Sequence, residues 1–281
     1  MYIETFLGSF PGYSYMFSAL LNSPTLPDFE IQNFKDDTSV SISFNDILFY
    51  SYYRFNVRTV NLASNMINII GIRSNYGYDY SVSKYEKRKI YADYLLLFYY
   101  DGTTFKLEKF IYTSFPGADS RKLYPSSRSS KDLGTVVVMP GFHNNVYKIG
   151  RHRGYKALEQ MRDIAIFRDK SAYKDKFHDL SIAASYKTDR FGINTLPKVN
   201  IHMPKDQDAP SGVVKISKSF GSLVRGASAG CQVVALDNGK NGQKWFTDVM
   251  SIFELQKSRN GKNEFDYFLI EERDFLDFLG K

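Results

Sequence analysis

The sequence predicts a mainly β fold, a β-rich α+β protein with a few short helices, on three observations. Aromatic residues are unusually many, with 21 Tyr and 23 Phe against one Trp, and such side chains suit the pleated, half-buried surface of a sheet. Ala-rich runs are few and 19 Gly punctuate the chain. Short apolar runs closed by turn residues recur from about residue 61 onward, the pattern of strands joined by tight connections.

The elements follow in order. Residues 1–60 stand apart: Pro11, Pro24 and Pro27 interrupt any long helix, and residues 39–57 carry alternating and aromatic strand signals. They read either as a strand-rich N-terminal module or attachment arm, or as extra strands on the main sheet. The second unit, 61–281, opens with the apolar run 66–74. A buried strand over 91–100 is turned by Asp101-Gly102 into a second strand over 104–113, a hairpin signal. A polar loop (115–134) leads to strands over 134–141, 146–160 and 163–169, and 174–200 is mostly polar connection. Short strands follow at 197–204 and 228–236. Residues 244–258 place Phe246, Val249, Met250 and Phe253 at helical spacing. A strand over 264–272 and a few helical residues end the chain.

At 281 residues the chain fits one large domain or a domain with an appended module, and 43% apolar with 24% charged residues excludes wholesale disorder. No apolar stretch reaches the roughly 18–20 residues of a membrane span, so no membrane partner is expected. The N-terminus lacks a basic leader region and does not read as a signal peptide. Residues 117–190 hold 15 basic and 8 acidic side chains, the whole of the +7 net charge. That excess suits an anionic partner or simply a solvated surface, and no nucleic-acid-binding motif accompanies it.

One Cys excludes an internal disulfide and a cysteine-based zinc cluster; no metal ligands and no cofactor are assigned. Cys231 follows the small residues Ser228, Ala229 and Gly230 into a strand. Tight packing there lets backbone N–H groups converge beside the sulfur, as an oxyanion site requires. The thiolate is the reactive form, so a base or a cation must stand close. All four histidines (His143, His152, His178, His202) precede Cys231, which excludes the nucleophile-first order of papain-like enzymes. A caspase-type order fits, but the residues around Cys231 do not match that signature, and no H-E-x-x-H is present. In Val199–Met203, strand alternation sets Val199, Ile201 and Met203 on one face and Asn200 with His202 on the other, which makes His202 the best base.

The run Asn200-Ile201-His202 followed by Ser228-Ala229-Gly230-Cys231-Gln232 resembles the L,D-transpeptidase catalytic-domain family (YkuD-type fold). The match looks closer to a divergent branch of that family, seen in bacterial and bacteriophage proteins. Segments 67–74, 113–118, 134–141, 147–160 and 167–169 agree in order, so the resemblance covers about 61–281. It implies an L,D-transpeptidase-like β-sandwich. Cys231 would be the nucleophile and His202 its base, with Gly230 and Cys231 N–H groups as the oxyanion site and Ser228 shaping the turn. His152, Tyr155 and Asn200 would contact substrate. The implied reaction is attack on the L-centre of a diamino acid in a peptidoglycan stem peptide, expelling the terminal D-residue. An amine or water then resolves the acyl-enzyme. The chain departs from the common motif at Ala229, where that family has a second His, and in its 29-residue His-to-Cys separation. Residues 204–227 are expected to form a flap.

Two functions follow: a cell-wall cysteine acyltransferase or hydrolase, or a non-catalytic virion (tail) protein that keeps the fold for structure or wall binding. The expected partners are peptidoglycan stem peptides, and other virion proteins through the N-terminal segment. The expected route is synthesis in the cytoplasm and delivery by a particle to the periplasm or cell wall.

Overall fold

A computed structural model describes residues 28–33, 38–55, 61, 63–74, 78–79, 84–85, 91–114, 135–152, 154–169, 199–203, 215–217, 231–235, 237–240 and 244–281. Its strands are β1 (Phe29–Asn33), β2 (Thr38–Ile42), β3 (Asn68–Arg73), β4 (Tyr78–Asp79), β5 (Lys84–Tyr85), β6 (Asp93–Tyr100), β7 (Phe105–Thr113) and β8 (Thr135–Val138). They continue with β9 (Gly141–His152), β10 (Tyr155–Gln160), β11 (Ile166–Asp169), β12 (Ile201–His202), β13 (Lys215–Ser217), β14 (Gln232–Ala235), β15 (Asp237–Lys240) and β16 (Phe265–Glu271). The helices are α1 (Phe44–Phe55), α2 (Ser251–Asn260), entered through a π-helical turn at Trp245–Met250, and α3 (Glu272–Leu279).

The mainly β expectation holds. Eight strands close into a barrel in the order β10-β12-β14-β7-β6-β3-β16-β9, so the two layers that a sandwich stacks are here opposite walls of one sheet. β12–β14 and β3–β16 run parallel and the remaining neighbours antiparallel. Closure leaves this sheet without an edge to template aggregation.

Strands β3, β6 and β16 are buried on both faces. Ile69, Leu95, Leu97, Tyr267 and Leu269 belong to one core. Their neighbours Ile70, Ile72, Tyr94, Leu96, Phe98, Phe268 and Ile270 belong to a second. This is period-two alternation with both faces covered, which explains why these segments read as continuous apolar runs. The β6–β7 hairpin forms as expected: Asp101 Oδ1 accepts from Thr103 N–H, Thr103 Oγ1–H and Thr104 N–H, and Gly102 takes a φ of +103°.

The second core is covered by the N-terminal elements, where one expectation is corrected. Residues 39–57 read as strand, but strand ends at Ile42 and helix α1 follows. The cause is a reciprocal cap: Asp46 N–H donates to Ser43 Oγ (3.1 Å) while Ser43 N–H donates to Asp46 Oδ2 (3.0 Å). That pattern starts a helix despite aromatic composition. Phe44, Ile47, Leu48 and Ser51 then fall on one buried face. Phe44 stacks on Phe98 with centroids 3.7 Å apart, and Phe55 meets Phe268 edge-on.

A second correction concerns the C-terminal helical stripe. Val249, Met250 and Phe253 are buried as the spacing predicts, but Phe246 is 38% exposed and Trp245 fully buried. The π-helical turn inserts an extra residue per turn and rotates the face. Trp245 Nε1–H donates to the Lys156 carbonyl (2.7 Å), docking the turn on β10.

Inside the sheet a chain of hydroxyls runs Tyr112–Tyr267–Gln232–Tyr147, with contacts of 3.0, 2.5 and 3.1 Å. Burial first, then neighbouring groups, holds the Tyr112 and Tyr147 hydroxyls well above the ordinary tyrosine range. They therefore serve as neutral donors and acceptors. Near one end of β3, Arg73 pairs with Glu271 (2.7 Å) and donates to Ser114 Oγ and the Val138 carbonyl. Ser114 in turn donates twice to Asp93.

Candidate active site

The site is assembled by two sheet neighbours and one hairpin. β12 and β14 pair in parallel with Ile201 opposite Gln232 and His202 opposite Val233. Cys231, the residue before β14, thereby comes beside His202 although it lies 29 positions further along the chain. The β9–β10 hairpin brings a third and a fourth group, because His152 and Tyr155 face each other across its turn. Val199, Ile201 and Met203 are buried in the first core, and Asn200 and His202 alternate to the opposite face. That face is buried too: His202 is 3% exposed.

The Cys231 sulfur and one ring nitrogen each from His152 and His202 all lie within 4.8 Å of one another. The two imidazoles stack, centroids 4.0 Å apart and planes 10° from parallel. Cys231 is half-buried. An ionised sulfur there is near enough to Tyr147 to raise that hydroxyl further, after burial and Tyr267.

Hydrogen-bond partners assign the proton on each ring. His202 Nδ1 stands 2.5 Å from the Met203 carbonyl oxygen, which only accepts. Nδ1 therefore carries the hydrogen and the lone pair resides on Nε2. The Tyr155 hydroxyl donates to the same carbonyl (3.0 Å) and lies 3.0 Å from His202 Nδ1, where its oxygen accepts. His152 is the reverse case. Asn200 Oδ1 accepts from the Gln160 backbone N–H (3.0 Å), so the amide's Nδ2 must face His152 Nδ1 at 3.0 Å and donate to it. The neutral His152 ring then carries its hydrogen on Nε2.

Chemically, the cluster offers a thiol, an imidazole whose Nε2 can take a proton, and a second imidazole whose Nε2–H can donate. That is the equipment of a thiol nucleophile with its base and an orienting group.

The structure brings together Cys231, His202, His152, Tyr155 and Asn200. The amide of Asn200 is used within the protein, on Gln160 and His152, and the Tyr155 hydroxyl is used on Met203 and His202. Both thus support the imidazoles. Gly230, Ser228, His178 and almost all of the expected flap lie outside the described residues. His143 is remote in role: its Nε2–H donates to the Met139 carbonyl (2.9 Å) and its ring stacks on Tyr267. Sequence reasoning missed Gln160, whose backbone N–H pins the Asn200 amide, Met203, which acts through its backbone carbonyl, and Tyr147, which acts through a buried hydroxyl. Only the β12 alternation around Met203 gave any signal.

A cavity of about 530 Å³, lined by Ile67, Asn144, Asn145, Asn263, Glu264 and Asp266 among others, shares no residue with this cluster. No helix among the described residues is long and apolar enough to cross a membrane. Comparison of the chain with protein-family models, curated proteins and solved structures returns no match.

Proposed function

We propose that the chain is a cysteine acyltransferase or hydrolase working through a thioester on Cys231, with peptidoglycan stem peptides as its substrate class. The observation that carries the chemistry is the placement of the Cys231 sulfur against two imidazoles of opposite tautomer. The substrate class is supported by the resemblance of the Asn200–His202 and Ser228–Gln232 segments to L,D-transpeptidases.

In this reading His202 Nε2 takes the thiol proton and the sulfur attacks the carbonyl carbon of the L-centre. A C–S bond forms, the amide C–N bond to the terminal D-residue breaks, and the proton passes from His202 to the departing amine. Water or an acceptor amine then attacks the thioester, releasing the sulfur with the proton returned through His202. Base assistance of this kind contributes roughly 10²–10⁴-fold. Carriage by a phage particle to the wall is the delivery route that fits this substrate.

The test is incubation of metal-free protein with purified tetrapeptide muropeptides, read by intact-protein mass and released D-alanine. An adduct on Cys231 with free D-alanine is expected, and Cys231→Ala should fold and give neither. Undiminished release by Cys231→Ala would rule the mechanism out. Binding of sacculi by the wild type with no product would favour the non-catalytic wall-binding reading.

A further inference from the structure

We propose that Cys231, His202 and His152 also form a binding site for a borderline-soft divalent cation, zinc foremost, and that the bound ion shuts off acyl transfer. The inhibitory consequence rests on the thiol reading above; the coordination does not.

Three donor atoms, one per residue, already lie within 4.8 Å of one another. Tetrahedral zinc holds nitrogen at about 2.0–2.1 Å and sulfur at about 2.3 Å, which sets neighbouring donors roughly 3.5 Å apart. The cluster therefore needs a contraction of roughly 1.3 Å at most. Thiolate with imidazole is a donor set that zinc favours over magnesium or calcium, which take oxygen. Three protein ligands leave a fourth position for water or a substrate atom.

His202 is already arranged as a metal ligand, since its Nδ1–H donates to the Met203 carbonyl and its Nε2 carries the lone pair. His152 is the ligand that must adjust. Its ring lies parallel to His202, and two parallel rings cannot both aim their lone pairs at one ion. It is half-buried beside the β9–β10 turn. Its Nδ1 lone pair is engaged by the Asn200 amide, a donor where metal-bound histidines usually meet an acceptor. Asn200 thus weakens the third ligand and keeps the ion exchangeable. On coordination the thiol proton leaves to solvent, and the His152 hydrogen moves from Nε2 to Nδ1 so that Nε2 can bind the ion. The ion then holds both the sulfur pair needed for attack and the His202 pair needed for proton transfer.

The experiment titrates metal-stripped full-length chain with cobalt(II), followed by zinc competition. Expected are one equivalent bound, a near-ultraviolet thiolate-to-cobalt absorption, and its displacement by zinc. Cys231→Ser should abolish the absorption, and His202→Ala and His152→Ala should each weaken binding at least tenfold. Asn200→Asp, which gives His152 an acceptor, should tighten zinc at least tenfold, the scale of such supporting contacts. Thermal melts of each variant establish folding. An absorption that survives Cys231→Ser, or binding indifferent to both histidines, overturns the proposal. Because acyl transfer is assayed in chelator, turnover without cobalt binding would sink this inference alone. Cobalt binding without turnover would sink the catalytic reading and with it the inhibitory consequence, and leave the coordination standing.

Discussion

The Tyr155 hydroxyl stands 3.0 Å from both His202 Nδ1 and the Met203 carbonyl, so one side chain closes a small ring with the imidazole and the backbone that fix its tautomer. Tyr155→Phe removes that closure and leaves the Nδ1–H···O=C contact in place. A neutral hydrogen bond contributes about 1 kcal/mol net, so turnover should fall about five- to tenfold. The melting temperature should barely change. Kinetics on muropeptides alongside calorimetry check both halves.

Gly71 lies where a Cβ would come within 2.1 Å of the Tyr112 hydroxyl and 2.5 Å of the Tyr267 hydroxyl. Gly71→Ala therefore breaks into the buried hydroxyl chain. Overpacking of this kind costs about 1–3 kcal/mol. The Gly71→Ala/Tyr112→Phe double variant, which removes the nearest clash, should recover part of the loss in a denaturant titration.

The Arg73–Glu271 pair is almost wholly buried. Glu271→Leu strands a guanidinium and should cost about 3–5 kcal/mol, whereas Arg73→Met/Glu271→Leu removes both charges and should regain most of it. Urea unfolding of the wild type and the two variants measures this directly.

Burial depresses the His143 imidazole from 6.5 to about 4, with the Arg73 guanidinium adding to the effect and the Met139 carbonyl opposing it. The folded state thus binds this proton less readily than the unfolded chain. Its contribution to stability is complete above about pH 6.5 and is lost as pH falls toward 4, on the order of 3 kcal/mol in all. His143→Gln keeps a donor for Met139 but does not titrate. Its stability should fall less steeply than the wild type's across that interval.

Much of the fold was legible because both-face burial leaves unmistakable runs such as Leu95–Phe98, and Asp101-Gly102 names its own turn. Helix α1 was legible in principle through Ser43 and Asp46, but the aromatic density around them outweighed a two-residue cap. Trp245 took the place of Phe246 because a π-helical turn shifts phase, which periodicity assumes constant. Of the site, His202 followed from alternation along β12 and Cys231 from being the one thiol. His152 and Tyr155 could not be placed from spacing alone, since the closure of β10 onto β12 brings them there. Asn200 was visible as a polar residue on the right face, but its pin on Gln160 is a tertiary contact that no local pattern encodes.

The central claim is that His202 activates Cys231, and it is tested most directly by the rate of Cys231 alkylation by iodoacetamide at pH 7 in chelator. The wild type should react at least tenfold faster than His202→Gln, and His152→Ala should fall between them. Equal rates for the wild type and His202→Gln, in folded protein, would contradict it.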